Sequence, residues 1–158
     1  GSGHMVMWKP DVKAYGGDVR LAELQWAYTL THEFTHAFVA RYRTNRNVPR
    51  WLHEGIAEVI ASRQFAVRGA YTMARQMADT KFNFQALFDD KGKLAGELYP
   101  VMRTMVEALL QEDYKAFLAM FNDIKDGVPP HKALYQHYKA TYQTFETAWR
   151  GYARKLKE

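Results

Sequence analysis

The sequence predicts a mainly α-helical protein with at most a small β-sheet. Residues 18–48 contain neither Gly nor Pro, and apolar residues recur there at three- and four-residue steps. Most later segments show the same period and are separated by short breaks rich in Gly or Pro. The chain has 158 residues, of which 47% are hydrophobic and 15% aromatic, as expected of one domain with one core.

The first two predicted helices are the longest. We expect Asp18 to cap a helix over residues 19–43. One apolar face of this helix should comprise Leu21, Leu24, Tyr28, Thr31, Thr35 and Phe38. A polar loop follows, and a second helix should begin at Pro49 or Arg50, because Pro suits the first helical turn. It should continue to about residue 67.

Shorter helices should complete the chain. The pattern predicts them over residues 70–80, 84–88, 98–111, 113–125, 131–140 and 145–157. Residues 5–15 are partly apolar and interrupted by Pro10, which favours an edge strand or an extended lead-in. The expected domain covers residues 6–158. Residues 1–5 (GSGHM) resemble the remnant of an expression tag.

The tag remnant leaves the natural N-terminus out of view. We therefore expect that a signal, an anchor or a further domain can precede residue 6 in the full-length protein. A secreted, periplasmic or membrane-anchored location is compatible with this, and the oligomeric state stays open. Residues 6–158 show no signal peptide and no stretch long enough for a membrane helix.

Composition limits the kinds of partner. The formal net charge is +5, which is compatible with a nucleic acid or an acidic polymer. However, the Lys and Arg residues are scattered, so a solvated basic surface is the favoured interpretation and no nucleic-acid partner is expected. The absence of cysteine excludes disulfides and thiolate zinc sites.

The strongest local motif is the H-E-x-x-H pattern of residues 32–36. Residues four apart lie on one face of a helix, so His32 and His36 can bind one zinc ion together. Glu33 lies beside them and can act as the general base toward a zinc-bound water. The plain alternative is a pair of hydrogen-bonded histidines. Apolar neighbours, Phe34, Phe38 and Val39, predict that the site is buried.

A second motif lies in the next predicted helix. Glu54 follows His36 by 18 positions, and a returning helix can bring it opposite the histidines as the third ligand of a catalytic zinc. Gly55 should let this helix approach a neighbour closely. Glu58, one turn later, can accept the free N–H of a ligand histidine, whereas solvated carboxylates are the alternative. His53 is expected to point away from the metal.

Taken together, His32-Glu33-x-x-His36 and the later segment Pro49-x-Trp51-Leu52-x-Glu54-Gly55-x-Ala57-Glu58 resemble the gluzincin zinc metallopeptidases of the peptidase MA-like group. The resemblance implies a catalytic domain with an active-site helix, a second Glu-bearing helix and a C-terminal helical bundle. The usual N-terminal sheet would be small or truncated here. The implied activity is hydrolysis of a peptide or protein substrate with Zn²⁺ as cofactor.

The same resemblance implies a tyrosine ahead of a long apolar helix, and Tyr99 occupies that place. It is the candidate donor to the oxyanion of the tetrahedral state. A core-filling role is the alternative for Tyr99, and Tyr71, His131 and His137 are less favoured substitutes.

Three other functions stay open at this point. The chain could be a non-catalytic zinc-binding recognition module, although Glu33 would then have no use. Zinc could serve structure alone, and a vacant fourth coordination position would count against that. A basic binder of nucleic acid or acidic polymers is the least favoured, since it predicts binding that ignores chelators and weakens with salt.

Overall fold

A computed structural model describes residues 11–63, 69–89 and 95–157 of the chain. This part contains helices and no strand, which confirms the mainly helical class. A 3-10 helix, Val12–Tyr15, comes first. The α-helices are α1 (Val19–Arg41), α2 (Arg50–Ser62), α3 (Ala70–Asp79), α4 (Phe84–Phe88), α5 (Leu98–Glu112), α6 (Tyr114–Asp126), α7 (Pro130–Tyr138) and α8 (Tyr142–Ala153). No described helix is both long and apolar enough to cross a membrane.

The predicted helix starts are confirmed within a few residues, and local capping explains several of them. The Asp18 carboxylate accepts a 2.9 Å hydrogen bond from the amide of Leu21, as an N-cap residue should. Helix α2 ends at Ser62 and Arg63 lies in a turn, whereas the prediction continued the helix to about residue 67. Residues 64–67 of the predicted range lie outside the described part.

The predicted strand is wrong where it can be compared. Val12–Tyr15 forms a 3-10 helix because the Asp11 side chain caps it and Gly16 ends it in a left-handed conformation, with φ 63°. Short polar caps of this kind override a weak strand pattern. Residues 5–10 of the same prediction lie outside the described residues.

Helix α2 lies at the centre of the fold, between α1 and α5. Its inner residues Trp51 and Leu52 are fully buried. At Gly55 the backbones of α2 and α5 approach so closely that an added Cβ would lie 2.5 Å from the carbonyl oxygen of Met102. The expected close approach of Gly55 therefore exists, and its partner is α5.

The C-terminal helices form a bundle around α5. Helix α8 packs on α3 and α5, and α6 packs on α7. The buried indole of Trp149 donates a 3.0 Å hydrogen bond to the hydroxyl of Thr104, which satisfies both polar groups in an apolar environment. The bundle supports α5, and α5 in turn holds α2.

The apolar face predicted for α1 is partly wrong. Of the residues predicted for this face, Phe38 is 65% exposed and Leu21 is 38% exposed. Phe34, which was expected to help bury the H-E-x-x-H motif, is 59% exposed. The buried residues of α1 are Ala22, Tyr28, Thr35 and Val39. Helix α1 carries apolar residues on several of its faces, so apolar steps of three and four residues can be traced along more than one face. Contact with α2 decides which face is buried.

Candidate metal centre

Helices α1 and α2 bring three potential ligand atoms together. Nε2 of His32 and Nε2 of His36 lie 3.0 Å apart, as expected for residues one turn apart on α1. Oε2 of Glu54, on the facing surface of α2, lies 3.3 Å from each of these nitrogens. Among the described residues these three form the one group able to hold a metal ion.

The separations of the three atoms match the edges of a coordination tetrahedron. A zinc ion with bonds of about 2.0–2.1 Å to nitrogen and oxygen keeps adjacent ligand atoms about 3.3–3.4 Å apart in tetrahedral geometry. The observed separations of 3.0, 3.3 and 3.3 Å lie near this range. The residues present therefore suit a three-coordinate protein site that leaves a fourth position for another ligand.

A carboxylate lies behind the centre, beside His32. Oε1 of Glu58 lies 3.0 Å from Nδ1 of His32, on the side of the ring opposite Nε2. An acceptor at this place favours the tautomer that leaves Nε2 free for a metal. Glu58 is therefore positioned for the supporting role expected from the sequence.

Tyr28 extends this arrangement, and sequence reasoning assigned it only to the apolar face. Its hydroxyl donates a 2.5 Å hydrogen bond to Oε2 of Glu58, and both residues are buried. Burial, and then the Glu58 carboxylate, raise the pKa of Tyr28, so its proton stays on the hydroxyl. Tyr28 lies one helical turn before His32, and this four-residue spacing is the feature of the sequence that could have placed Tyr28 beside the centre.

The charges of the centre depend on one another. Burial alone would lower the pKa of His32, but the carboxylates of Glu54 and Glu58 outweigh it and raise the pKa to about 9. Burial would raise the pKa of Glu54, but His32 and His36 outweigh it and lower the pKa to about 2. Without a metal ion, His32 thus carries a proton at neutral pH beside an ionised Glu54.

Tyr99 is the second residue of α5, and its ring centroid lies 6.3 Å from that of His32. Burial, and then the carboxylates of Glu54, Glu58 and Glu33, raise the pKa of Tyr99, so the hydroxyl stays protonated at neutral pH. Glu33 itself is exposed on α1. Tyr99 is half-buried, so the two candidate catalytic residues differ in their access to solvent.

His53 does not point away from the centre as expected. Its ring packs on His36, with centroids 4.3 Å apart, and its Nε2 lies 3.4 Å from the carbonyl oxygen of His36. Burial, and then the neighbouring His36, lower the pKa of His53, which favours the neutral ring. The crossing of α1 and α2 brings these residues together, and helical direction within α2 alone could not reveal it.

The three substitutes considered for Tyr99 have other partners. The hydroxyl of Tyr71 donates a hydrogen bond of 3.4 Å to Glu107 and accepts one of 3.1 Å from Arg103. The guanidinium of Arg103 lies over the Tyr71 ring. His137 lies 2.7 Å from Asp123. His131 is exposed, with its ring near that of Tyr142. None belongs to the metal-ligating group.

Comparisons of the chain with protein-family models, with curated proteins and with solved structures found no match.

Proposed function

We propose that this protein is a zinc-dependent hydrolase that cleaves peptide bonds, with a catalytic domain of the gluzincin type. The observation that carries the proposal is the convergence of Nε2 of His32, Nε2 of His36 and Oε2 of Glu54 at separations of 3.0–3.3 Å. These residues would hold the zinc ion. When bound, zinc acts as a Lewis acid that polarises oxygen ligands and lowers the pKa of water.

Glu33 would act as the general base. It follows His32 directly on α1, and its exposed carboxylate can reach solvent beside the centre. In this role it takes a proton from the attacking water and passes it to the leaving amine. A recognition module or a structural zinc site would make no use of a free carboxylate at this place.

Tyr99 would donate a hydrogen bond to the carbonyl oxygen of the substrate as negative charge develops there. Its raised pKa keeps the donor proton in place. Glu58 would hold the ring of His32 through Nδ1, and Tyr28 would hold Glu58. These outer contacts keep the ligand nitrogen directed at the ion rather than at a hydrogen-bond donor.

The proposal is tested in two steps. Elemental analysis of protein purified without added metal should find close to one zinc per chain. The zinc-loaded protein is then incubated with a mixed peptide library, with and without a chelator. We expect cleavage that a chelator abolishes and that added zinc restores.

Replacing Glu33 by Gln separates catalysis from metal binding. We expect the E33Q variant to keep its zinc and to lose hydrolysis by at least about a hundredfold, the contribution typical of a positioned general base. Zinc retained with no cleavage by the unmodified protein would favour the recognition module, and normal hydrolysis by E33Q would remove Glu33 from the mechanism.

A further inference from the structure

A cavity of about 270 Å³ adjoins the metal centre. Glu54 and His53 form the wall shared with the centre, and Arg46, Asn47 and Arg50 form much of the remainder. A volume of this size holds one amino-acid side chain or a chain terminus rather than a larger ligand. Any peptide placed at the centre would therefore have an adjoining compartment to fill.

The walls of this cavity are held together by a buried lysine. Nζ of Lys125 donates hydrogen bonds of 2.9 and 3.3 Å to the carbonyl oxygens of Val39 and Ala40, which also line the cavity, and one of 2.6 Å to that of Arg46. These bonds use all three of its N–H groups. They join the end of α1 to the following loop, so the cavity is preformed.

The residues that line the cavity include two arginines, Arg46 and Arg50, and one carboxylate, Glu54. Glu54 is directed at the two imidazoles. The guanidinium of Arg46 also packs over Gly127, and its charge helps to lower the pKa of Asp126. The Arg50 charge acts on the Tyr99 hydroxyl, whose pKa it tends to lower. Arg50 also lies one helical turn before Glu54 on α2, so it is the cavity arginine that shares a helix with a candidate metal ligand.

We propose that this cavity binds a carboxylate of the substrate, and that Arg50, assisted by Arg46, determines a preference for anionic peptides. The inference rests on the proposed peptidase function and specifies its substrate class. A guanidinium offers a planar pair of donors that matches a carboxylate. The carboxylate can come from an acidic side chain or from the C-terminus of the peptide.

The test measures binding separately from cleavage. Zinc-loaded E33Q protein is titrated by calorimetry with three peptides of equal length: one with an internal Glu and an amidated C-terminus, one neutral with a free C-terminus, and one neutral and amidated. We expect one of the first two to bind about tenfold more tightly than the third, since a charge-assisted pair supplies about that factor. Which of them does so identifies the source of the carboxylate.

Substitution of Arg50 by Gln in the same background should abolish this preference, and Arg46→Gln should reduce it. Arg63→Gln is the matched control, because it removes the same charge from the other end of α2 and should leave the preference intact. Zinc affinity should be the same in all variants, which shows that folding and the metal centre are preserved.

Equal binding of the three peptides, no binding of any of them, or a preference that survives Arg50→Gln would overturn the inference. Failure of the proposed function is a different result, since it is the lack of chelator-sensitive cleavage by the unmodified protein. The two failures come from separate measurements and can be told apart.

Discussion

Tyr28 and Glu58 are joined by a buried hydrogen bond of 2.5 Å, 30 positions apart in the chain. This bond connects α1 to α2 just behind the candidate metal centre. Because the other carboxylate oxygen of Glu58 lies 3.0 Å from Nδ1 of His32, Glu58 connects the phenol of Tyr28 to the ring of a candidate metal ligand.

Replacing Tyr28 by Phe tests this arrangement. Contacts behind a ligand contribute about 10–100-fold in metal affinity, and Tyr28 lies one bond further out, so we expect about a 3–10-fold loss of zinc affinity. Competition with a chromophoric chelator measures it. Tyr114→Phe, at a residue that is 60% exposed, is the control. An unchanged zinc affinity in Tyr28→Phe would show that the hydrogen bond from Tyr28 is not required to position Glu58.

Zinc affinity should rise with pH. The pKa of His32 is raised to about 9 without metal, so below pH 9 zinc must displace a proton from this ring, whereas Glu54, with a pKa of about 2, is already ionised. We expect affinity to increase up to about tenfold per pH unit between pH 6 and 8. Calorimetry in buffers of different ionisation enthalpy should detect release of a proton. Heats independent of the buffer would contradict this charge state.

Replacing Tyr99 by Phe should reduce turnover while zinc affinity and fold are retained. Removal of one donor to a developing oxyanion costs about 10²–10³ in kcat, and KM should change much less. Steady-state kinetics on a cleaved library peptide would measure both constants. Unaltered kcat would assign Tyr99 to packing against His32 rather than to the reaction.

Replacing Gly55 by Ala should destabilise the protein, although Ala favours helices. The added Cβ would lie 2.5 Å from the carbonyl oxygen of Met102 and 2.6 Å from Cγ2 of Val106. The backbone of α5 cannot move away without disturbing its own packing, so we expect a loss of about 1–3 kcal/mol in the free energy of unfolding, measured by denaturant titration.

The control for this substitution is Gly151→Ala in α8, where an added Cβ meets nothing within 4 Å. There the intrinsic preference of Ala for helices should stabilise the protein by about 0.5–1 kcal/mol. Equal effects at the two glycines would mean that α2 and α5 do not require the close approach.

Local patterns in the chain were sufficient for the helical class and for most helix boundaries. Caps such as Asp18 and breaks such as the segment 127–130 act over a few residues, so their consequences can be recognised without the fold. The pairing of His32 with His36 is equally local, because it follows from the pitch of one helix. The spacing to Glu54 required only that α2 return along α1.

Contacts between distant segments could be known only from the folded chain. The buried face of α1, the packing of His53 on His36 and the bond from Tyr28 to Glu58 all depend on how α1 and α2 cross. Likewise, Lys125 is 86 positions from Val39, and no local period indicates that it closes the end of α1. Side-chain periodicity describes directions around one helix, whereas the choice of neighbour depends on the packing of all of them.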